Sequence, residues 1–519
     1  MATMVLPVIH IGTEPLALDD LLMNEFKYAW AKTVESPVYK DQPLVKDEKL
    51  NSKIKRAIYL IDTSTPYATD YELLKELPAN NVIFDTKVEL SADIEDLFRI
   101  KNWHRLDFTD VEALGNIISV NFYFEQGVYK IDFDELRISE QFSGTVQQTG
   151  QTFRHLTGDF GNDWTRIASV ADIIWLPEKI SNRIVFEYAT QGDAEIKVVA
   201  QVTDSNSLEV TDQIELSGQA IERGLIVPAK AASRDMQIHI LARGHGSVDL
   251  GNIHFRRTRG EFGEVLVGGK QIVDKNDLNQ ELLIYFDPGD LQPPLNIYFS
   301  GYQTAEKFEG VGMMARFGAP YMLVMDPRSE GGAFYQGSEE MENQLIDEIH
   351  HNLNQLGFDH HDVILSGLSM GTYGALYYGA KLNPAGIVIG KPVIELGKVA
   401  SGERILRPNT FGTSLDMLRN TMGGVDQDDI ERMNQHFWDV FTQGDFSNTT
   451  FAIAYMEQDD YDMTALPKLR AYLKENYPLV RLFSKGIEGR HNDNTYAVVQ
   501  WFMKQYKSLL MLQFNRLIL

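Results

Sequence analysis

Three blocks of different periodicity predict a mixed α/β chain: a carboxy-terminal α/β domain with a parallel-type sheet, preceded by a β-sandwich and a small amino-terminal α/β domain. Residues 1–134 mix helical and strand periods, residues 135–260 lose the helical period, and residues 261–519 return to strand and helix in alternation. The length agrees, since 519 residues exceed one core and suggest three domains at roughly 150 residues each.

In the first block, Ala57-Ile-Tyr-Leu-Ile61, Asn81-Val-Ile-Phe84 and Val120-Asn-Phe-Tyr-Phe124 read as strands. Asp70–Leu77, Ile94–Ile100 and Val111–Ile117 read as helical pieces. No glycine fingerprint follows a strand, so nucleotide binding is not indicated and a structural or docking role is expected. The first ten residues lack a basic n-region and Pro7 breaks their apolar run, which makes a poor signal peptide.

In the second block, short β-branched and aromatic runs recur between turn residues: Arg183–Tyr188, Glu195–Val202, Gln213–Ser217, Met236–Leu241 and Ser247–Phe255. This spacing is that of an antiparallel sandwich of the jelly-roll kind. Phe160, Trp164, Trp175 and Tyr188 are candidate stacking planes for glycan, against the alternative that they fill the core. The glycine-rich stretch Gly260–Lys270 fails as a phosphate loop, because Glu264 stands at its first glycine position and Gln271 replaces Ser or Thr; it reads as a hairpin or linker.

The third block reads as βαβ from about residue 280. Leu282–Phe286, Leu295–Gly301, Tyr321–Met325, Val363–Leu365, Gly386–Ile389 and Thr450–Met456 are strands. Ser338 is placed to cap a helix striped by Met341, Leu345, Ile349, Leu353 and Leu356, and Gly357 to end it. Gly367-Leu-Ser369-Met-Gly371 sits between a strand and the helical run Tyr373–Leu382, the context of a G-x-S-x-G nucleophile elbow. With this elbow the third domain reads as α/β-hydrolase-like, presenting Ser369 as a candidate nucleophile.

A serine hydroxyl needs a base, and the base needs an orienting group. In this fold the chain order is serine, acid, histidine. Of the two histidines after Ser369, His436 lies in an apparent helix and suits a structural role, whereas His491 lies in the polar loop Gly486–Asn494 before a helix. His491 is therefore the candidate base. The acidic loop Glu457-Gln-Asp-Asp-Tyr-Asp462 follows a strand; position favours Asp459, with Glu457, Asp460 and Asp462 as rivals. The candidate oxyanion donors are the backbone N–H groups of Met370 and of Tyr302, which follows the strand end Phe299-Ser-Gly301. His350-His351 and His360-His361 lack a ligand-spaced carboxylate motif, so no metal is expected.

A net charge of −25 argues against broad contact with nucleic acid. The absence of cysteine excludes disulfides and thiolate chemistry. No apolar run reaches the ~20 residues that span a bilayer, so a cytoplasmic protein is expected.

Gly367–Ala375, Ala454–Asp462 and Ser484–Asn494 together resemble the second type of accessory secretory (Asp) protein of the accessory Sec system in Gram-positive cocci and lactobacilli, across the whole chain. The resemblance implies a cytoplasmic protein, peripheral at the inner face of the membrane, that works with sister accessory secretory proteins and an accessory SecA motor to export serine-rich repeat glycoproteins. It further implies O-acetylation of N-acetylglucosamine on those adhesins, with no bound cofactor and an acyl donor such as acetyl-CoA. Nucleophile and base fall on Ser369 and His491, and a family glutamate falls on Glu457, in tension with the spacing that favours Asp459. Competing readings are a non-catalytic export adaptor or a glycan-binding chaperone on a hydrolase scaffold.

Overall fold

The computed structural model describes residues 5–47, 49–329, 332–408 and 410–517. Its strands form three large sheets that follow one another along the chain.

The first sheet is parallel and has five strands, in the order Phe26–Ala31, Leu6–Ile11, Ile58–Ile61, Val82–Asp85 and His104–Leu106. The strand Leu6–Ile11 is a buried central element that Pro7 masked in the sequence. Pro7 is tolerated because it lies where the strand is paired on one side only: pairing with the third strand begins at Val8. Residues 1–4 of that stretch lie outside the described residues. The expected strand Val120–Phe124 does not form; the helix Val111–Asn121 runs into it and ends at Phe122. Leu114, Ile118 and Phe122 recur every fourth residue and are all buried, so the helical period wins over the β-prone composition.

The second sheet is antiparallel, ten-stranded, and built on two long strands, Phe153–Val170 and Arg234–Arg257. The expected strands Met236–Leu241 and Ser247–Phe255 are one element, bent where Gly244 and Gly246 take φ of 88° and 145°. Its first half pairs with Glu195–Asp204 and its second with Asn182–Gly192. Both halves feed one core: Ile238, Ile240, Val248, Leu250 and Phe255 bury together, with Phe160 among them.

The third sheet has eight strands: β1 (Gly269–Asp274), β2 (Gln280–Asp287), β3 (Leu295–Phe299), β4 (Tyr321–Met325), β5 (Val363–Leu368), β6 (Gly386–Gly390), β7 (Thr450–Met456) and β8 (Arg481–Ile487). Their order is β1-β2-β4-β3-β5-β6-β7-β8, with β1 and β2 antiparallel and the rest parallel. Pleating sends Ile297, Leu365 and Ile387 to one face, where they meet α1 (Glu339–Leu356) and α2 (Met370–Leu382). Tyr298, Ile364 and Val388 face the other way onto α3 (Thr495–Phe514). The Ser338 hydroxyl caps α1 at the Met341 N–H, and Gly357 ends it at φ 72°. A largely parallel sheet with helices on both faces is what the βαβ alternation predicted.

A buried ionic cluster joins the second and third sheets. Ile253 and Phe255 enter the antiparallel core, so the alternating His254 and Arg256 point out of it, toward residues of the third sheet. His254 donates to Glu306 at 2.6 Å and to Glu187 at 3.2 Å; Arg256 pairs with Glu281 and, at 3.4 Å, with Glu306. Burial by itself would lower the His254 pKa, but Glu306 and Glu187 outweigh it and push it up to about 10. Because the folded value is raised, the protonated pair contributes fully below the ordinary value near 6.5 and is lost as pH climbs through about 10. His254→Gln is expected to cost about 3–5 kcal/mol near neutrality. Urea midpoints from pH 7 to 10.5 should converge with wild type as pH rises; parallel curves would show that His254 is not charged in the native protein.

Candidate active site

The elbow forms because β5 must turn into α2 within one residue. Ser369 takes φ 53° and ψ −117°, a conformation that L-residues rarely adopt. The turn closes only without side chains around it: a Cβ at Gly367 would stand 2.3 Å from the Gly371 carbonyl oxygen, and one at Gly371 would stand 2.1 Å from that of Phe299. The Ser369 N–H donates to the Gly390 carbonyl at 2.8 Å. Thr372 Oγ1 donates to the Ser369 carbonyl at 2.6 Å and accepts the Val393 N–H at 3.0 Å, which ties the turn to the end of β6.

His491 arrives from the loop between β8 and α3, with only 1% of its surface exposed. Its Nε2 lies 2.7 Å from Ser369 Oγ, and its Nδ1 lies 2.9 and 3.1 Å from the two Asp459 carboxylate oxygens. A carboxylate at Nδ1 holds the proton there, leaving Nε2 to accept the serine hydroxyl. The Tyr461 ring packs 4.5 Å from the imidazole, centroid to centroid, and the Arg407 guanidinium lies 3.7 Å from the Tyr461 ring centre.

The four carboxylates of the acidic loop occupy different positions. Asp459 is buried, and its Oδ1 also accepts the N–H groups of Tyr461 at 2.8 Å and Asp462 at 3.1 Å. Burial opposes its ionisation, but the His491 hydrogen bond and charge, with the two backbone donors, hold its pKa below the usual carboxylate value. Asp460 accepts the His491 backbone N–H at 3.0 Å. Asp462 accepts the N–H groups of Ile394 and Glu395, and burial raises its pKa. Glu457 is exposed at the end of β7, with its carboxylate beside Gly486. The structure thus brings Asp459 to the imidazole and leaves Glu457, the residue implied by the family resemblance, outside the series.

Met370 opens α2 and is buried; Tyr302 is 40% exposed and sets its ring edge-on to Phe411. The Gly301 N–H, one residue before Tyr302, donates to Glu309 at 2.8 Å. Sequence reasoning missed Lys391, which sits one residue beyond β6. It is buried, donates from Nζ to Thr495 Oγ1 at 3.0 Å, and feels the charges of Asp459, Glu309 and Asp493; burial lowers its pKa. Its position at the mouth of a parallel strand was the available signal.

Elsewhere, His436 packs on Tyr377, and His350, His351, His360 and His361 are exposed. Among the described residues no group of three or more His, Cys, Asp or Glu side chains gathers as a metal site would require. Of the aromatic planes in the second sheet, Phe160 is core, Tyr188 packs against that core, Trp164 lies beneath Lys197 and Arg243, and Trp175 is 62% exposed. No helix among the described residues is long and apolar enough to cross a membrane.

Residues 7–516 match the family model described as the accessory Sec system GspB-transporter. An accessory Sec system protein of Staphylococcus aureus (strain NCTC 8325 / PS 47) is 39% identical over 413 residues, covering 79% of this chain and 78% of that protein. One from Streptococcus gordonii is 35% identical over 438 residues, covering 84% and 85%. A chain in the glycosylation-associated protein (Gap123) complex from Streptococcus agalactiae superposes with a TM-score of 0.84 at 32% identity, covering 99% of this chain and 100% of that one.

Gly371→Ala is expected to destabilise the fold by about 3 kcal/mol or more, because the added carbon meets backbone on β3 and no flexible side chain can yield. Urea unfolding checks this. Wild-type stability would mean that the elbow can reopen.

Proposed function

The chain belongs to the accessory Sec system GspB-transporter family, and we propose that within it the protein is a serine-dependent O-acetyltransferase acting on N-acetylglucosamine of serine-rich repeat adhesins. One observation carries the reading: Ser369 Oγ, His491 and Asp459 are hydrogen-bonded in series at a strained strand-to-helix turn. Strain of this kind, costing about 1–3 kcal/mol, persists where surrounding structure enforces it and is common at reacting groups.

In the proposed chemistry Ser369 Oγ attacks the carbonyl of an activated acetyl donor while His491 Nε2 takes its proton. The developing oxyanion meets the Met370 N–H and, on the other side, the N–H of Tyr302. Collapse expels the donor's leaving group, which receives the proton from His491, and leaves an acetyl ester on Ser369. A sugar hydroxyl then gives its proton to His491 and attacks that ester, so the acetyl group moves to oxygen on the sugar and Ser369 Oγ recovers its hydrogen. Asp459 keeps the imidazole in the tautomer both steps need. Acetyl-CoA fits the donor role; no bound cofactor is required. We place the protein in the cytoplasm, at the inner face of the membrane, with sister accessory proteins and the SecA motor as partners. The Gap123 assembly containing a close structural counterpart supports the first of these.

A serine-directed fluorophosphonate should label the wild-type chain and not Ser369→Ala; a folded wild type that stays unlabelled would sink the enzyme reading. Asp459→Asn should lower acylation by about 10⁴-fold, as expected when the imidazole loses its orienting charge, whereas Glu457→Gln should stay near wild type. The reverse order would move the acid to Glu457. Mass spectrometry of adhesin glycans exported by Ser369→Ala cells should show the acetyl groups missing while export continues. Acetylated glycans from those cells would leave Ser369 without this role.

A further inference from the structure

Residues 300–309 leave β3 beside the elbow and hold almost no regular structure of their own. Their start is pressed against the nucleophile turn, for a Cβ at Gly301 would stand 3.2 Å from the Leu368 carbonyl oxygen. Inside the third sheet the loop is tied by Glu309, whose Oε2 accepts the Gly301 N–H at 2.8 Å and the Tyr298 hydroxyl at 3.0 Å. Its far end is held from across the junction. Glu306 takes His254 Nδ1–H at 2.6 Å and Arg256 at 3.4 Å, both from the long strand Arg234–Arg257. Phe308 donates its N–H to Gln126 Oε1 at 2.6 Å and accepts Gln126 Nε2 at 3.4 Å through its carbonyl. Glu306 and Phe308 are buried.

We infer that His254, Arg256 and Gln126 are positioning residues for the acyl-transfer site: they clamp residues 306–308 and so fix the Gly301–Tyr302 backbone beside Ser369, making acylation depend on the antiparallel sheet. This inference rests on the reading of Ser369 as the nucleophile. Two features favour a positional role over general stability. The core of the second sheet is a cluster separate from those of the third, and the loop enters only the latter, through Phe308, so the polar contacts that cross the junction belong to neither core. Buried ion pairs also add little net stability over well-packed apolar side chains, so a polar clamp is better accounted for by the geometry it imposes.

The test compares wild type with Glu306→Gln and Gln126→Leu in the full chain, at a temperature where thermal melts show all three folded. Gln126→Leu removes both bonds to Phe308 without leaving a buried charge, and so serves if Glu306→Gln does not fold. Hydrogen exchange should quicken in peptides covering 299–309 and stay unchanged over the elbow, residues 366–372. Turnover of p-nitrophenyl acetate should fall roughly tenfold to a hundredfold in kcat with KM unchanged, and the rate of fluorophosphonate labelling should fall in step. Unchanged exchange in 299–309 overturns the inference, as does faster exchange with kcat intact. A wild type that neither labels nor turns over refutes Ser369 as nucleophile, and the exchange result then decides alone whether the clamp sets the loop.

Discussion

The arrangement depends on one close approach, that of the Gly371 backbone in the first turn of α2 to the Phe299 carbonyl at the end of β3. Only with no side chain there can α2 begin directly over β3, and only then is Ser369 pushed into positive φ at the tip of β5. The strain is offset by bonds that the sheet supplies: Gly390 receives the Ser369 N–H, and Thr372 bridges to Val393. The elbow is therefore a property of three strands in register, β3, β5 and β6, and not of a pentapeptide alone.

The same logic sorts the acidic loop. Glu457, Asp459, Asp460 and Asp462 lie within six residues, yet their surroundings differ. Backbone donors and an imidazole gather on Asp459, so ionisation is favoured there despite burial. Asp462 is also buried and accepts two N–H groups, but no imidazole meets it and burial dominates. Asp460 spends its carboxylate on the His491 backbone, and Glu457 stays in solvent. A carboxylate's local donors, more than its distance along the chain from β7, decide which role it can take.

This explains what could be read from the sequence. The six inner strands of the third sheet were legible, because buried strands and amphipathic helices leave strong periodic signals and Ser338 and Gly357 mark the ends of α1; the edge strands β1 and β8, half exposed and polar, were not assigned. Ser369 and His491 were legible because their motifs sit at strand and helix ends. Among the carboxylates loop position favoured Asp459, the one that meets His491, but could not exclude Glu457, Asp460 and Asp462, since the choice depends on loop conformation and on partners far away in the chain. Pro7 hid a central strand, and the aromatic tail of residues 120–124 hid a helix end. His254 and Arg256 carried a readable alternation with Ile253 and Phe255, but nothing local named Glu306, some fifty residues on, as their partner. Lys391 was hidden for a similar reason, as its neighbours Asp459, Glu309 and Asp493 come from three separate loops.

On the proposed chemistry, the fate of the acyl group follows from competition at Ser369. Water needs no positioning, whereas a sugar hydroxyl held at the ester gains an effective concentration on the order of 10⁵ M or more. Transfer therefore wins where the acceptor is held by contacts beyond the reacting atoms. Beside this site one aromatic side chain is exposed, Tyr302, whose ring rests on buried Phe411 and through it on Phe334, while Tyr461 packs on the imidazole. An exposed aromatic face of this kind would suit the face of a sugar ring and displace water from it. Tyr302 also lies in the loop that the antiparallel sheet clamps. Acceptor binding and oxyanion geometry would then share one loop, and a sugar seated on Tyr302 would steady the donors that the acyl transfer needs.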